Sequence, residues 1–169
     1  MTTTADEHRR LSPPVVGFAV VTVSDTRTLE TDIGGQTAAD LLLQAGHRLA
    51  ARVIVPDESD RLRGAIAELG ETAGVDAILI TGGTGLSSRD RTFETVSGLL
   101  DKHMPGYGEL FRMLSYQEIG PAAMLSRAVG GVMGRTIVLT MPGSPAAVRL
   151  AMEKLIIPEL GHIVREARR

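Results

Sequence analysis

The sequence predicts an α/β protein, a sandwich of helices around a mostly parallel sheet. Three observations carry this. Apolar, β-branched runs recur along the chain, the pattern of strands buried on both faces. Stretches of helical period separate them. Polar or glycine-rich clusters follow the runs and are absent from the helical stretches, as expected of loops at one rim of a parallel sheet.

"VVGFAVVTVS" (Val15–Ser24) reads as the first strand. Ala38, Leu41, Leu42 and Ala45 then form one stripe of a helix, with Gly46 as its C′ residue. "LAARVIVP" (Leu49–Pro56) is a second strand, and Ser59 is expected to N-cap a helix with Leu62, Ile66 and Leu69 inward, stopping at Gly70 or Gly74. "AILIT" (Ala77–Thr81) is a third strand, and Thr92 is expected to cap a helix carrying Phe93, Val96, Leu99 and Leu100. "GELFRMLSYQEIG" reads as helical, and "MLSRAVGGVMG" fits either a short helix or an edge strand. "TIVLTMP" (Thr136–Pro142) is the last clear strand; the helix after it should kink or end at Pro158.

The 169 residues are most simply one domain, 15–169, behind a flexible polar lead-in, 1–14, that ends at Pro13-Pro14. The first residues lack the apolar stretch of a secretion signal, and no apolar run has the length of a membrane span. A cytoplasmic protein without a membrane partner is expected. With no cysteine, disulfides, thiolate metal sites and thiol catalysis are excluded. A net charge of −2 argues against a nucleic-acid binder with a broad basic face. His8, His47, His103 and His162 form no ligand set, and no Ser-His-Asp arrangement stands out.

The chemistry is expected beyond the carboxyl ends of the strands. Ser24-Asp25 follows the first strand and Asp57 the second. "TGGTG" (Thr81–Gly85) follows the third, then Arg89-Asp90, and "MPGSP" follows the last. The glycine cluster is neither a Walker loop nor a full dinucleotide fingerprint, because Ser88 stands where the third glycine would. It is either a tight strand-to-helix turn or a cradle whose N–H groups face an anion. Ser144 as N-cap with Pro145 at N1 makes a sharp helix start, the place where free N–H groups and the helix dipole favour an anion. Two such turns on one rim point to a phosphate-bearing ligand. Asp25, Asp57 and Asp90 would repel bare phosphate, and Mg2+ between carboxylates and phosphates would remove the conflict.

With "VSDTR", "LLLQAGHRL", "VPDE", "TGGTGLSSRDRT", "PGYGELFRMLSYQEIG", "LSRAVGG" and "MPGSP" in this order, the chain resembles the MoaB/Mog family of molybdenum-cofactor biosynthesis proteins, more closely its MoaB branch. The resemblance implies a three-layer α/β/α sandwich that forms a homo-oligomer, a trimer or a dimer of trimers. It implies Mg-ATP-dependent adenylylation of molybdopterin, with release of pyrophosphate and no tightly bound cofactor. Carried over by motif, Asp57 and Asp90 are the functional aspartates and the Mg2+ ligands. Gly82, Gly83, Thr84, Gly85 and Ser87 would bind nucleotide phosphates; Ser24, Asp25, Pro142, Gly143 and Ser144 would bind molybdopterin. The family usually has proline where this chain has Phe93. The alternative is a molybdopterin- or nucleotide-binding protein of the same fold without turnover. Molybdate insertion and nicotinamide-dependent oxidoreduction rank lower.

Overall fold

In a computed structural model that describes residues 10–169, six strands form one mixed sheet in the order β2-β1-β3-β6-β5-β4. Residues 1–9 of the expected lead-in lie outside the described residues. Strand β1 (Gly17–Val23) is buried along its length and pairs in parallel with β2 (Arg48–Val55) and β3 (Ala77–Thr81). Strand β3 pairs in parallel with β6 (Thr136–Met141), which β5 (Gly130–Met133) and the two-residue β4 (Lys102–His103) extend in antiparallel fashion. The four parallel strands are those with the clusters at their carboxyl ends, so the clusters share one rim.

Side chains alternate between the faces of the sheet, as the two-residue period of a strand requires. Phe18, Val20, Leu79, Ile137 and Leu139 point into one core, with Ala38 and Leu42 of α1 (Ile33–Gln44) and Tyr107 and Phe111 of α4 (Pro105–Ile119). Ala19, Val21, Ile78, Ile80 and Val138 point into the other, with Leu62 and Ile66 of α2 (Ser59–Glu71) and Val96 of α3 (Thr92–Ser97). The result is the three-layer sandwich. Tyr107 is buried, and its hydroxyl donates to Thr140 O at 2.9 Å, tying α4 to β6. No helix among the described residues is long and apolar enough to cross a membrane.

Gly46 adopts φ +88 beyond the last turn of α1, as its position implies. Three details differ from the sequence expectation. Ser59 is the first residue of α2 and caps nothing; Glu58 precedes it in extended conformation. Thr92 likewise begins α3, and its buried hydroxyl has no partner. "MLSRAVGGVMG" divides into the end of a 3-10 turn (Gly120–Leu125) and the internal strand β5. Of the two outcomes expected at Pro158, a kink or an end, the helix does not end. A π turn (Met152–Ile156) lies between α5 (Pro145–Ala151) and α6 (Ile157–Ala167), with Ile157 N–H donating to Met152 O, five residues back. A wider turn before proline relieves the contact between its ring and the preceding carbonyl, so the helix continues. It keeps Val148, Met152, Ile156, Leu160 and Val164 in one core.

Candidate functional site

Strands β3 and β6 end together, and that junction creates the site. Gly82 N–H continues the ladder by donating to Met141 O at 3.0 Å, and Thr81 Oγ1 donates to Pro142 O at 3.2 Å. The chain after β3 must then turn under β1. Gly82 has φ +100, and a Cβ there would collide with Val23 O. Gly83 has φ +63, and a Cβ there would collide with the Thr92 hydroxyl. Both positions require glycine for conformation and for space.

Over this junction lies a cavity of about 530 Å³. Its rim wall consists of Ser24, Gly82, Gly83, Thr84, Gly85, Asp90, Pro142, Gly143 and Ser144, nine of the residues singled out from the sequence. Arg27 also lines it, and Phe111, Ser115, Ile119, Ala123 and Leu125 of α4 and the 3-10 turn supply a largely apolar side. A cavity with one apolar side and one side of convergent N–H and charged groups suits a ligand with a flat organic body and phosphates. Ser144 caps α5 as its position implies, accepting from Ala147 N–H at 3.3 Å, with Pro145 in the first turn.

Asp25, Asp57 and Ser87 do not line the cavity. The Asp57 N–H donates to Asp25 Oδ1 at 3.1 Å, and Arg89 forms an ion pair with Asp25. The Ser87 N–H donates to Asp90 Oδ2 at 2.9 Å, so Asp90 closes the turn 87–90 with its own side chain. Burial raises the Asp57 carboxyl above the ordinary carboxylate range, and the nearby charges of Asp90 and Asp25 add to this; a hydrogen bond from Arg91 N–H and the charge of Arg89 oppose it. Asp57 and Asp90 are therefore close enough to feel each other. Among the described residues, no group of three or more histidine, aspartate or glutamate side chains forms a metal cage. The Asp57–Asp90 pair instead fits Mg2+ arriving with phosphates, which takes one or two carboxylates from the protein and keeps the rest of its shell in water and phosphate oxygen.

Four residues escaped the sequence reading. Arg127 donates from Nε and Nη2 to Gly85 O, from Nη2 to Asp90 O at 2.9 Å, and from Nη1 to Glu94. Its guanidinium lies over the Phe93 ring, 5.4 Å from the centroid. The carboxyl of Glu94 lies below its ordinary range, because backbone and Arg127 hydrogen bonds outweigh burial. Phe93 thus takes part in holding the glycine turn. Contacts across 42 residues leave no local signal.

Asp32, Arg52 and Arg27 form the second group. The buried Asp32 accepts from Thr22 Oγ1 at 2.6 Å, from Gly35 N–H at 3.0 Å and from Arg52 Nη2 at 3.1 Å, and Arg27 Nη1 lies 3.6 Å away. Burial alone would raise its carboxyl, but these hydrogen bonds and the Arg52 charge hold it below the ordinary range. An aspartate just before "IGGQTAADLLL" is the mark of an N-cap, so Asp32 was findable.

Residues 19–162 match the family described as a probable molybdopterin binding domain. The chain is 52% identical over 164 residues to molybdenum cofactor biosynthesis protein B of Bacillus cereus, covering 96% of this chain and 97% of that one. It is 51% identical to the protein of the same name from Bacillus subtilis, covering 96% of each. A crystal structure of a molybdenum cofactor biosynthesis protein B superposes with a TM-score of 0.90 at 53% identity, covering 94% of this chain and 99% of that one. The tungsten cofactor synthesizing protein MoaB from Pyrococcus furiosus superposes with a TM-score of 0.85 at 34% identity, covering 94% of this chain and 100% of that one.

Proposed function

We propose that this chain, which belongs to the molybdenum cofactor biosynthesis family with a probable molybdopterin binding domain, adenylylates molybdopterin. The observation that carries this reading is the cavity where the glycine turn, the "MPGSP" turn and Asp90 meet, with Asp57 within electrostatic reach of Asp90. The terminal phosphate of molybdopterin attacks the α-phosphorus of ATP. A new P–O–P link forms, the bond to the β-phosphate oxygen breaks, and pyrophosphate leaves.

A phosphate monoester with a second pKa of about 6 is already mostly dianionic at neutral pH, so the nucleophile needs no general base. Among the described residues, no histidine lines the cavity wall. The barrier lies in bringing two polyanions together in line and stabilising the spreading charge. The N–H groups of residues 83–85 would face the nucleotide phosphates, while that of Gly82 stays in the sheet ladder, and Arg127 braces the turn through Gly85 O and Asp90 O. Asp57 and Asp90 would hold Mg2+, which supplies charge neutralisation between the phosphates when bound. The apolar side formed by Phe111, Ile119 and Leu125 receives the pterin and excludes water from it.

Incubating the protein with Mg-ATP and molybdopterin should release pyrophosphate and yield adenylyl-molybdopterin. Asp57→Asn and Asp90→Asn should each lower that rate by at least about a hundredfold, the scale of losing one charge-stabilising group. Pterin binding should persist. Full turnover in both variants refutes the assignment. A binding protein without turnover is favoured by one feature, the engagement of the Asp90 carboxylate with the Ser87 N–H. Tight binding of both ligands with no pyrophosphate would establish that reading instead.

Self-association into a trimer or a dimer of trimers belongs to the same proposal. Leu110, Met113, Tyr116 and Met124, between 47% and 74% exposed, put large hydrophobic side chains on α4 and the 3-10 turn. A monomer rarely leaves such a set uncovered. Light scattering on purified protein checks the mass. A cytoplasmic location is proposed with it.

A further inference from the structure

Among the described residues, Arg27 is the one cationic side chain in the cavity wall, and neither its motif nor the family match assigns it a role. Its position is built by three features. Ser24 Oγ accepts from the N–H groups of Thr26 at 3.3 Å and of Arg27 at 3.2 Å, bending the chain after β1 so that Arg27 reverses toward β6. Arg27 Nη1 donates to Gly143 O at 3.2 Å, joining the first loop to the "MPGSP" turn. Gly34, without a side chain, makes room beneath: a Cβ there would lie 3.0 Å from Gly143 O and 3.6 Å from Arg27 Nη1.

The charge of Arg27 is not cancelled. Asp32 carries one negative charge and faces two guanidinium groups, Arg52 at 3.1 Å and Arg27 at 3.6 Å. Arg52 is the nearer and less exposed of the two, 13% against 35%, and it also donates to Leu29 O and Asp32 O. One positive charge is left over, and the group that meets the cavity is Arg27. Among the described residues, its Nη2 and Nε donate to no acceptor. A guanidinium fixed at one nitrogen and open along its other edge is shaped for two parallel bonds to a phosphate.

The position of Arg27 decides which phosphate it takes. Asp57 and Asp90 precede α2 and α3, the helices on one face of the sheet. Arg27 spans the starts of α1 and α5, on the other face, where Phe111 also packs. The organic body of a ligand on the apolar side is therefore next to Arg27, and the carboxylates belong to the neighbouring half. We infer that Arg27 anchors the terminal phosphate of the pterin substrate, and so selects the phosphorylated form and holds the attacking oxygen in place. This inference rests on the adenylylation reading above and adds a specificity-determining residue to it.

The test measures binding of molybdopterin, of its dephosphorylated form and of Mg-ATP by anaerobic calorimetry, for the wild type, Arg27→Lys and Arg27→Gln. Thermal melting is recorded alongside. The wild type should prefer the phosphorylated pterin by at least about tenfold, the scale of a charge-assisted pair. Arg27→Gln should bring that preference close to one, and Arg27→Lys should keep part of it. Affinity for Mg-ATP should stay within about twofold. If Arg27→Gln does not fold, Arg27→Lys carries the comparison, because loss of the fork alone should lower the preference. A purely structural Arg27 would weaken all three ligands in parallel, which overturns the inference, as does an undiminished preference in both variants. A wild type that binds neither pterin overturns the adenylylation reading itself.

Discussion

Asp32→Asn tests the charge arrangement from which Arg27 projects. Asparagine is nearly isosteric, and its oxygen can still accept from Gly35 N–H, so the helix cap survives. The amide nitrogen then faces Thr22, whose hydroxyl can turn to accept, and Arg52, which cannot. Breaking a buried ion pair costs about 3–5 kcal/mol when one charge is left bare. Here the figure is lower, because Arg52 keeps Leu29 O, Asp32 O and Gln36 as acceptors and Arg27 is partly exposed. A loss of about 2–3 kcal/mol at neutral pH is expected, the value of one charged hydrogen bond. For a chain of this size that lowers Tm by about 4–12 °C.

The sign with pH follows from the depressed carboxyl. Its stabilisation is present above the ordinary aspartate value of 3.8 and is lost as pH falls through the folded value below that. Urea unfolding of the wild type and Asp32→Asn should therefore give curves about 2–3 kcal/mol apart at neutral pH that converge in strong acid. Equal separation at both pH values would show that the Asp32 charge contributes nothing to the folded state.

Asp57→Asn should raise the thermal midpoint at neutral pH while abolishing turnover, because a raised carboxyl favours the fold below 3.8 and loses that contribution as pH rises through the folded value; melting at pH 7 and near pH 4 checks that the gain shrinks in acid. Gly82→Ala should destabilise by about 1–3 kcal/mol or more, since it combines positive φ with a collision against the Val23 backbone; urea unfolding measures it. Gly85→Ala should leave stability within about 0.5 kcal/mol yet reduce adenylylation at least about tenfold, because its Cβ would lie 2.8 Å from Asp90 Oδ2 and displace a side chain that can swing. Ser144→Ala should cost about 1 kcal/mol through the lost cap and weaken pterin binding, with titration and melting run on the same sample.

The parallel part of the fold was legible because each buried strand announces itself in its own residues: "AILIT" coincides with β3, and Val15–Ser24 brackets β1. Antiparallel β5 was ambiguous because "GGVM" has no periodicity of its own; it is a strand by virtue of pairing with β6. Ser59 and Thr92 carry capping residue types one position inside their helices, where backbone geometry and not identity decides. The rim turns were legible because glycine and proline mark sharp turns locally. The arginines that brace them were not, since Arg27 meets Gly143 116 residues away and Arg127 meets Gly85 42 residues away.

The stack of Arg127 on Phe93 changes what kind of constraint governs the glycine turn. A proline fixes its dihedral covalently, under every solvent condition. Here the restraint is an assembly of side chains that can come apart, with the Glu94 carboxylate about half open to water. Salt screens such a contact, and protonation of Glu94 removes one of its anchors. The rigidity of the glycine turn thereby becomes tunable by ionic strength and acidity.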